Sequence, residues 1–255
     1  MSARALLFDV GNTSLKWGVL DGDQLVRFGK LSHQVLNEAG FSALARKLPR
    51  QVNEVLVSNV AGEEFAAQLS VFVSSHCGVE ARFARSERQA HGVTSGYKRP
   101  RRLGVDRWAA MIGARAQFGG VLCVVDAGSA ITIDAIDQSG QHLGGQIIPG
   151  LHLMARALLT NTSGIRELPT RLTDPGPGME HFADTTGRAI QAGALNAICG
   201  AVERAVRTLR SEGFRPKIVL TGGSAAPILG QIDGKVIYRP HLVLEGLAVL
   251  LRNEP

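Results

Sequence analysis

The sequence predicts an α/β protein built from two related halves, on three observations. Short apolar runs alternate with longer amphipathic stretches, and the order of those runs restarts near Val121. The turn after the first run also recurs: Phe8-Asp9-Val10-Gly11-Asn12-Thr13 is echoed by Val125-Asp126-Ala127-Gly128-Ser129-Ala130. Self-similarity with a period near half the chain points to a duplicated domain rather than a solenoid, so domains are expected over 1–117 and 118–255.

In the first half, Ala5 to Asp9 reads as an apolar strand. Trp17 to Leu20 and Gln24 to Gly29 continue it as a meander through the Asp21-Gly22 turn. Phe41 to Leu48 reads as a short helix and Glu54 to Ser58 as a buried strand. Glu63 to Ser75 reads as an amphipathic helix, with Phe65, Leu69 and Phe72 at helical spacing, and Trp108 to Gln117 as another helix. The second half opens on three strands, Val121 to Asp126, Ile131 to Ile136 and Gly145 to Ile148. Helices follow at Leu151 to Leu159 and Asp184 to Leu209, then a strand from Lys217 to Leu220 and a last helix from Leu242 to Leu251. The Thr-, Gly- and Pro-rich tract 160–178 reads as a long loop.

Composition narrows the class. A chain of 255 residues, 45% hydrophobic and 20% charged, can bury a core without disulfides or metals. Cys77, Cys123 and Cys199 are far apart and lack CxxC spacing, which argues against a disulfide framework and a structural zinc site and fits a reducing cytoplasm. The absence of a targeting pattern or membrane-length apolar run agrees with a cytoplasmic location and no membrane partner. The net charge of +6 suits nucleic acid or small anions. Its densest cluster, Lys98, Arg99, Arg101, Arg102 and Arg107, has only Tyr97 and Trp108 beside it, which argues against a nucleic-acid stacking platform.

The two echoed loops carry the chemistry. Each sets a carboxylate at a strand end, a glycine where backbone can approach a ligand, and then polar donors, a combination suited to phosphates and hydrated Mg²⁺. Lys16 adds a cation to the first loop. An ordinary hairpin turn would explain either loop alone; the pair, facing one another across a cleft, would enclose a triphosphate. Thr221-Gly222-Gly223-Ser224 is a third glycine turn after a strand. No Walker A or GxGxxG pattern occurs, and the seven histidines show no metal-ligand spacing. Between the loops, Asp106-Arg107 could supply a base and a bidentate anion ligand, or simply begin a helix.

In these loops the chain resembles the ASKHA phosphotransferases, and within them the type III pantothenate kinases, whose relatives have also been named Bvg accessory factors. The motifs run in order: Asp9 to Thr13 with Lys16, Tyr97 to Arg107 including Leu103-Gly104-Val105-Asp106-Arg107, and Asp126 to Asp134. Gly144 to Gly150, Thr185-Thr186 and Thr221-Gly222-Gly223 follow. The resemblance implies two duplicated ribonuclease-H-like, actin/hexokinase-type domains, each with a mixed five-stranded sheet, around an interdomain cleft.

It also implies ATP contacts from Asp9, Val10, Gly11, Asn12, Thr13, Ser14, Leu15, Lys16 and Ser129, with Mg²⁺. Asp126 would bind a monovalent cation, K⁺ or NH₄⁺. Pantothenate would be bound by Tyr97, Gly104, Val105, Asp106, Arg107 and Thr186, with Asp106 as general base, in a homodimer whose active site is shared. Ser129 stands where threonine is usual and Arg99 where many relatives have asparagine. A different ASKHA acceptor, or a regulatory factor acting through transcription, remains as an alternative.

Overall fold

The apolar run at the start of the chain forms β1 (Arg4–Val10), buried along nearly its whole length because strands pair with it on both sides. The computed structural model describes residues 4–165 and 182–252, so most of the loop expected at 160–178 lies outside the described residues. The chain divides into two units. One comprises the residues to Gln117 together with those from Leu242, and the other spans Phe118–His241.

In the first unit β1 pairs antiparallel with β2 (Ser14–Asp21), which pairs antiparallel with β3 (Gln24–Ser32). On its other side β1 runs parallel to β4 (Glu54–Asn59), which runs parallel to β5 (Ala81–Phe83). The order is β3-β2-β1-β4-β5. Asp21 opposes Gln24, so Gly22 and Asp23 make the tight turn, and Gly22 takes the left-handed φ of +59°.

Alternate residues Leu6, Phe8 and Val10 enter a core with Leu15, Trp17, Val55 and Val57. That core is covered by α1 (His33–Ala39), α2 (Ser42–Ala45) and α3 (Glu63–Cys77), which contribute Leu36, Leu44, Leu69 and Val73. The helix expected over 41–48 is thus only the short α2. α1, before it, carries no helical signal in the sequence because it buries Leu36 alone and its cap, Ser32, is also the end of a strand; the Ser32 hydroxyl accepts from Val35 N at 3.3 Å.

α4 (Val105–Gln117) and α7 (Leu242–Arg252) pack against each other and against β4 and β1. They cross at two glycines: a Cβ on Gly113 would lie 2.6 Å from Leu242 O, and one on Gly246 would overlap the Ala109 carbonyl. The second domain was expected to run to residue 255, but α7 belongs with the first unit. A mostly apolar helix signals burial without saying which sheet it covers. Before α4 come a small hairpin, β6 (Gln89–Ala90) with β7 (Val93–Thr94), and a 3₁₀ turn at Pro100–Arg102.

The second unit repeats the plan. β8 (Leu122–Ala127), β9 (Ala130–Ile136) and β10 (His142–Pro149) form an antiparallel meander, and β8 runs parallel to β11 (Lys217–Thr221), itself parallel to β12 (Val236–Tyr238). The order β10-β9-β8-β11-β12 matches that of the first sheet strand for strand. Two mixed five-stranded sheets in an α/β chain are the fold class the family resemblance implies. Cys123, Val125, Ile131 and Ile133 pack on Leu195, Ile198 and Val202 of α6 (Thr186–Ser211), while α5 (Leu151–Asn161) adds Leu151.

Asp134 does not extend the second loop. It sits in the body of β9, buried against His142, whose Nε2 is 2.9 Å from Asp134 Oδ1. All three cysteines are free, and burial pushes the Cys123 thiol up to about 12 and Cys199 to about 11. Among the described residues no helix is long and apolar enough to cross a membrane.

Candidate active site

Strand pairing assembles the first loop. Asp9 at the end of β1 stands opposite Lys16 on β2 and Ser58 on β4. Paired positions on neighbouring strands project from the same face, so the three make one row across the sheet. The row lies on the face away from the Phe8 core, toward α4 and α7. Asp9 is 6% exposed and its Oδ2 is 3.5 Å from Lys16 Nζ. Burial pushes the Asp9 carboxyl above its ordinary value; the Lys16 ammonium pulls it back, and the Asp106 carboxylate pushes it up again.

The turn from Gly11 to Ser14 is closed by Gly11 N donating to Ser14 O at 3.0 Å, and Thr13 O accepts from His33 N at 2.9 Å. Both tie down the Asn12-Thr13 tip. Ser58 is fully buried, and its hydroxyl has no partner among the described residues. Sequence alone gave no reason to select it, since its place beside Asp9 appears only once β1 and β4 are in register.

α4 positions the next group. Gly104 O accepts from Trp108 N at 3.0 Å and Asp106 Oδ1 accepts from Arg107 N at 2.8 Å, so Asp106 occupies the first turn, where the helix dipole favours negative charge. A Cβ on Gly104 would lie 2.6 Å from Asp106 Oδ1, so glycine leaves that carboxylate its place. Arg107 is 5% exposed; its Nη1 donates to Tyr97 Oη at 2.9 Å and its guanidinium carbon lies 5.6 Å from the Tyr97 ring centroid. Buried Ser86 donates to Leu103 O at 2.9 Å and anchors the chain entering this turn. Asp9, Lys16 and Asp106 thus share one electrostatic neighbourhood, with Arg107 and Tyr97 built onto Asp106.

The second unit holds the echo. Asp126 at the end of β8 pairs with Thr132 on β9 and Thr221 on β11, as Asp9 pairs with Lys16 and Ser58. Two glycines press on this turn. A Cβ on Gly150 would lie 2.6 Å from both Gly128 O and Ser129 O, and Gly150 N donates to Ser129 O at 2.9 Å. Gly222, with φ +100°, leaves no room for a Cβ between Ala127 and Asp126 Oδ1. Carboxylate, hydroxyl and carbonyl oxygens are the donor set a hard cation takes. Thr186 begins α6, exposed, behind Thr185, whose hydroxyl accepts from Arg188 N at 3.4 Å. Among the described residues no cluster of three His, Cys, Asp or Glu side chains could hold a metal ion by itself.

Comparison with known proteins gives concordant results. A family model described as type III pantothenate kinase matches residues 5–208. The chain is 40% identical to a type III pantothenate kinase of Azoarcus sp. over 96% of its own length and 89% of the relative's. It is 35% identical to one from Nitrosococcus oceani over 97% of this chain and 94% of the other. Among solved structures, a Campylobacter jejuni protein described as a Baf family transcriptional activator superposes with a TM-score of 0.58 at 22% identity, covering 97% of this chain and 98% of that one. That likeness speaks for the fold alone.

Proposed function

The chain belongs to the type III pantothenate kinase family, and from that premise we propose that it transfers the γ-phosphoryl group of ATP to the primary hydroxyl of pantothenate. The products are 4′-phosphopantothenate and ADP, the entry to coenzyme A synthesis. The observation that carries the reading is Asp106, in the first turn of α4, close enough to bear on the buried Asp9 and followed by the buried Arg107 on Tyr97.

Phosphoryl transfer asks little covalent chemistry of a protein and much positioning and charge stabilisation. The Asp9 to Lys16 loop offers its exposed tip, Asn12 and Thr13, with Ser14 beside it, and the Lys16 ammonium to the phosphates. Asp106 accepts the hydroxyl proton as the new O–P bond forms and the bond to the ADP oxygen breaks. Arg107 pairs with the carboxylate of pantothenate, oriented by Tyr97 Oη; Gly104 and Val105 supply the backbone beside it. Ser129 contributes a hydroxyl to ATP.

A bound Mg²⁺ would supply neutralisation of the β,γ-phosphate charge. Asp9 fits it: a carboxylate whose ionised form burial disfavours gains from a nearby cation. Asp126, beside Thr132, Thr221 and the Ala127 carbonyl, is the residue for K⁺ or NH₄⁺. Thr186 is assigned to the acceptor site of a second copy in a homodimer. Purified protein with ATP, Mg²⁺ and K⁺ should release ADP when pantothenate is added. Release with another alcohol and none with pantothenate would instead support a different acceptor.

A further inference from the structure

We propose that Arg88 is a positioning residue for the acceptor site, holding in place the loop that carries Tyr97. The proposal rests on the reading of Tyr97 and Arg107 as acceptor-binding groups.

After β7 the chain leaves the hairpin, and residues 95–99 belong to no helix or strand. Their carbonyls therefore lack the partners regular structure would provide, and each needs one from elsewhere. Arg88 supplies three. Its Nη1 donates to Ser95 O at 3.4 Å and to Tyr97 O at 3.1 Å, and its Nη2 donates to Lys98 O at 3.1 Å. The Arg88 carbonyl also accepts from Ser95 N at 2.9 Å, so side chain and backbone of one residue grip the same segment. Only a guanidinium can serve three carbonyls from one plane; a lysine ammonium on a flexible stem cannot reproduce that fork.

The fixed segment determines where the Tyr97 phenol goes. Tyr97 N donates to Ser95 Oγ at 3.3 Å, and Tyr97 Oη meets Arg107 Nη1 at 2.9 Å. Releasing the carbonyls lets the segment relax and draws the phenol away from the buried guanidinium that donates to it. Arg88 is itself exposed and outside the hydrophobic cores, so truncating it removes the tether with little loss of packing. It acts through Tyr97 rather than by touching substrate.

The test compares wild type, Arg88→Ala, Arg88→Lys, Tyr97→Phe and the Arg88→Ala/Tyr97→Phe double variant by steady-state kinetics and amide hydrogen exchange. Arg88→Ala should raise KM for pantothenate about tenfold or more and leave KM for ATP within about twofold. Arg88→Lys should recover little of the loss. The double variant should be no worse than Tyr97→Phe, because both changes break one path. Amides of 95–99 should exchange faster in Arg88→Ala while those of α4 keep their protection.

Additive losses, an unchanged KM for pantothenate, or an equal rise in both KM values would overturn the proposal. Wild-type protein inert toward pantothenate would overturn the acceptor reading instead. In that case unchanged exchange at 95–99 in Arg88→Ala would still refute the tether on its own.

Discussion

Replacing Tyr97 by phenylalanine tests the acceptor half of the site with least disturbance. The ring that stacks near Arg107, 5.6 Å from its guanidinium carbon, is kept. The oxygen that accepts from Arg107 Nη1 at 2.9 Å is removed. A hydrogen bond to a charged group contributes about 1.5–3 kcal/mol. Arg107 is only 5% exposed, so water replaces the lost partner poorly. At about 1.4 kcal/mol per factor of ten, kcat/KM for pantothenate should fall roughly ten- to a hundredfold. If Tyr97 aligns Arg107 for ground-state binding, the loss appears in KM and kcat changes little. The assay is initial velocity with pantothenate varied at saturating ATP, then the converse. A matching rise in KM for ATP, or no change in either, would refute the idea that Tyr97 acts on the acceptor through Arg107.

Three further outcomes follow from the geometry. Burial raises the Asp9 carboxyl, so the folded state holds that proton more tightly than the unfolded chain; the resulting stability is present at low pH and lost as pH rises through the raised folded value. Asp9→Asn should therefore gain apo-protein melting temperature relative to wild type as pH rises from acid to neutral, while turnover disappears; a relative loss over that range would count against the buried carboxylate. Gly246→Ala puts a methyl into the Ala109 carbonyl at the α4–α7 crossing, and should cost about 1–3 kcal/mol, read as a lower urea midpoint, despite alanine's better helix propensity. Ser86→Ala frees the Leu103 carbonyl ahead of Asp106 and should lower stability by about 1 kcal/mol, with kcat falling more than KM for ATP.

The parts of the fold that could be read in the sequence were those whose physics is local. The β1–β3 meander shows as apolar runs divided by Asp21-Gly22, and the duplication shows because both sheets carry a carboxylate and a glycine at the same turn. β5 and β12, three residues each, are too short to carry a period. α7 is apolar enough to announce burial, but only the Gly113–Gly246 approach reveals that it covers the first sheet. In the site, the motifs marked Asp9, Lys16, Tyr97, Asp106 and Arg107, and the structure brings Asp9 near Lys16 and Asp106, and Tyr97 onto Arg107. Ser58, Ser86 and Arg88 could not be picked out. Their importance lies in what strand register and loop closure set beside them, and Ser, Ser and Arg are ordinary surface residues until then.

On the function proposed, Asp106 takes the proton of the acceptor hydroxyl. Asp106→Asn keeps the size of the side chain and an oxygen for the Arg107 amide, so ATP affinity by equilibrium titration should stay within about threefold of wild type. In the same preparation, single-turnover formation of phosphorylated pantothenate should fall by at least about a hundredfold, the low end of what general base catalysis contributes. A variant that binds ATP normally and still phosphorylates pantothenate at near wild-type rate would remove Asp106 from the reaction.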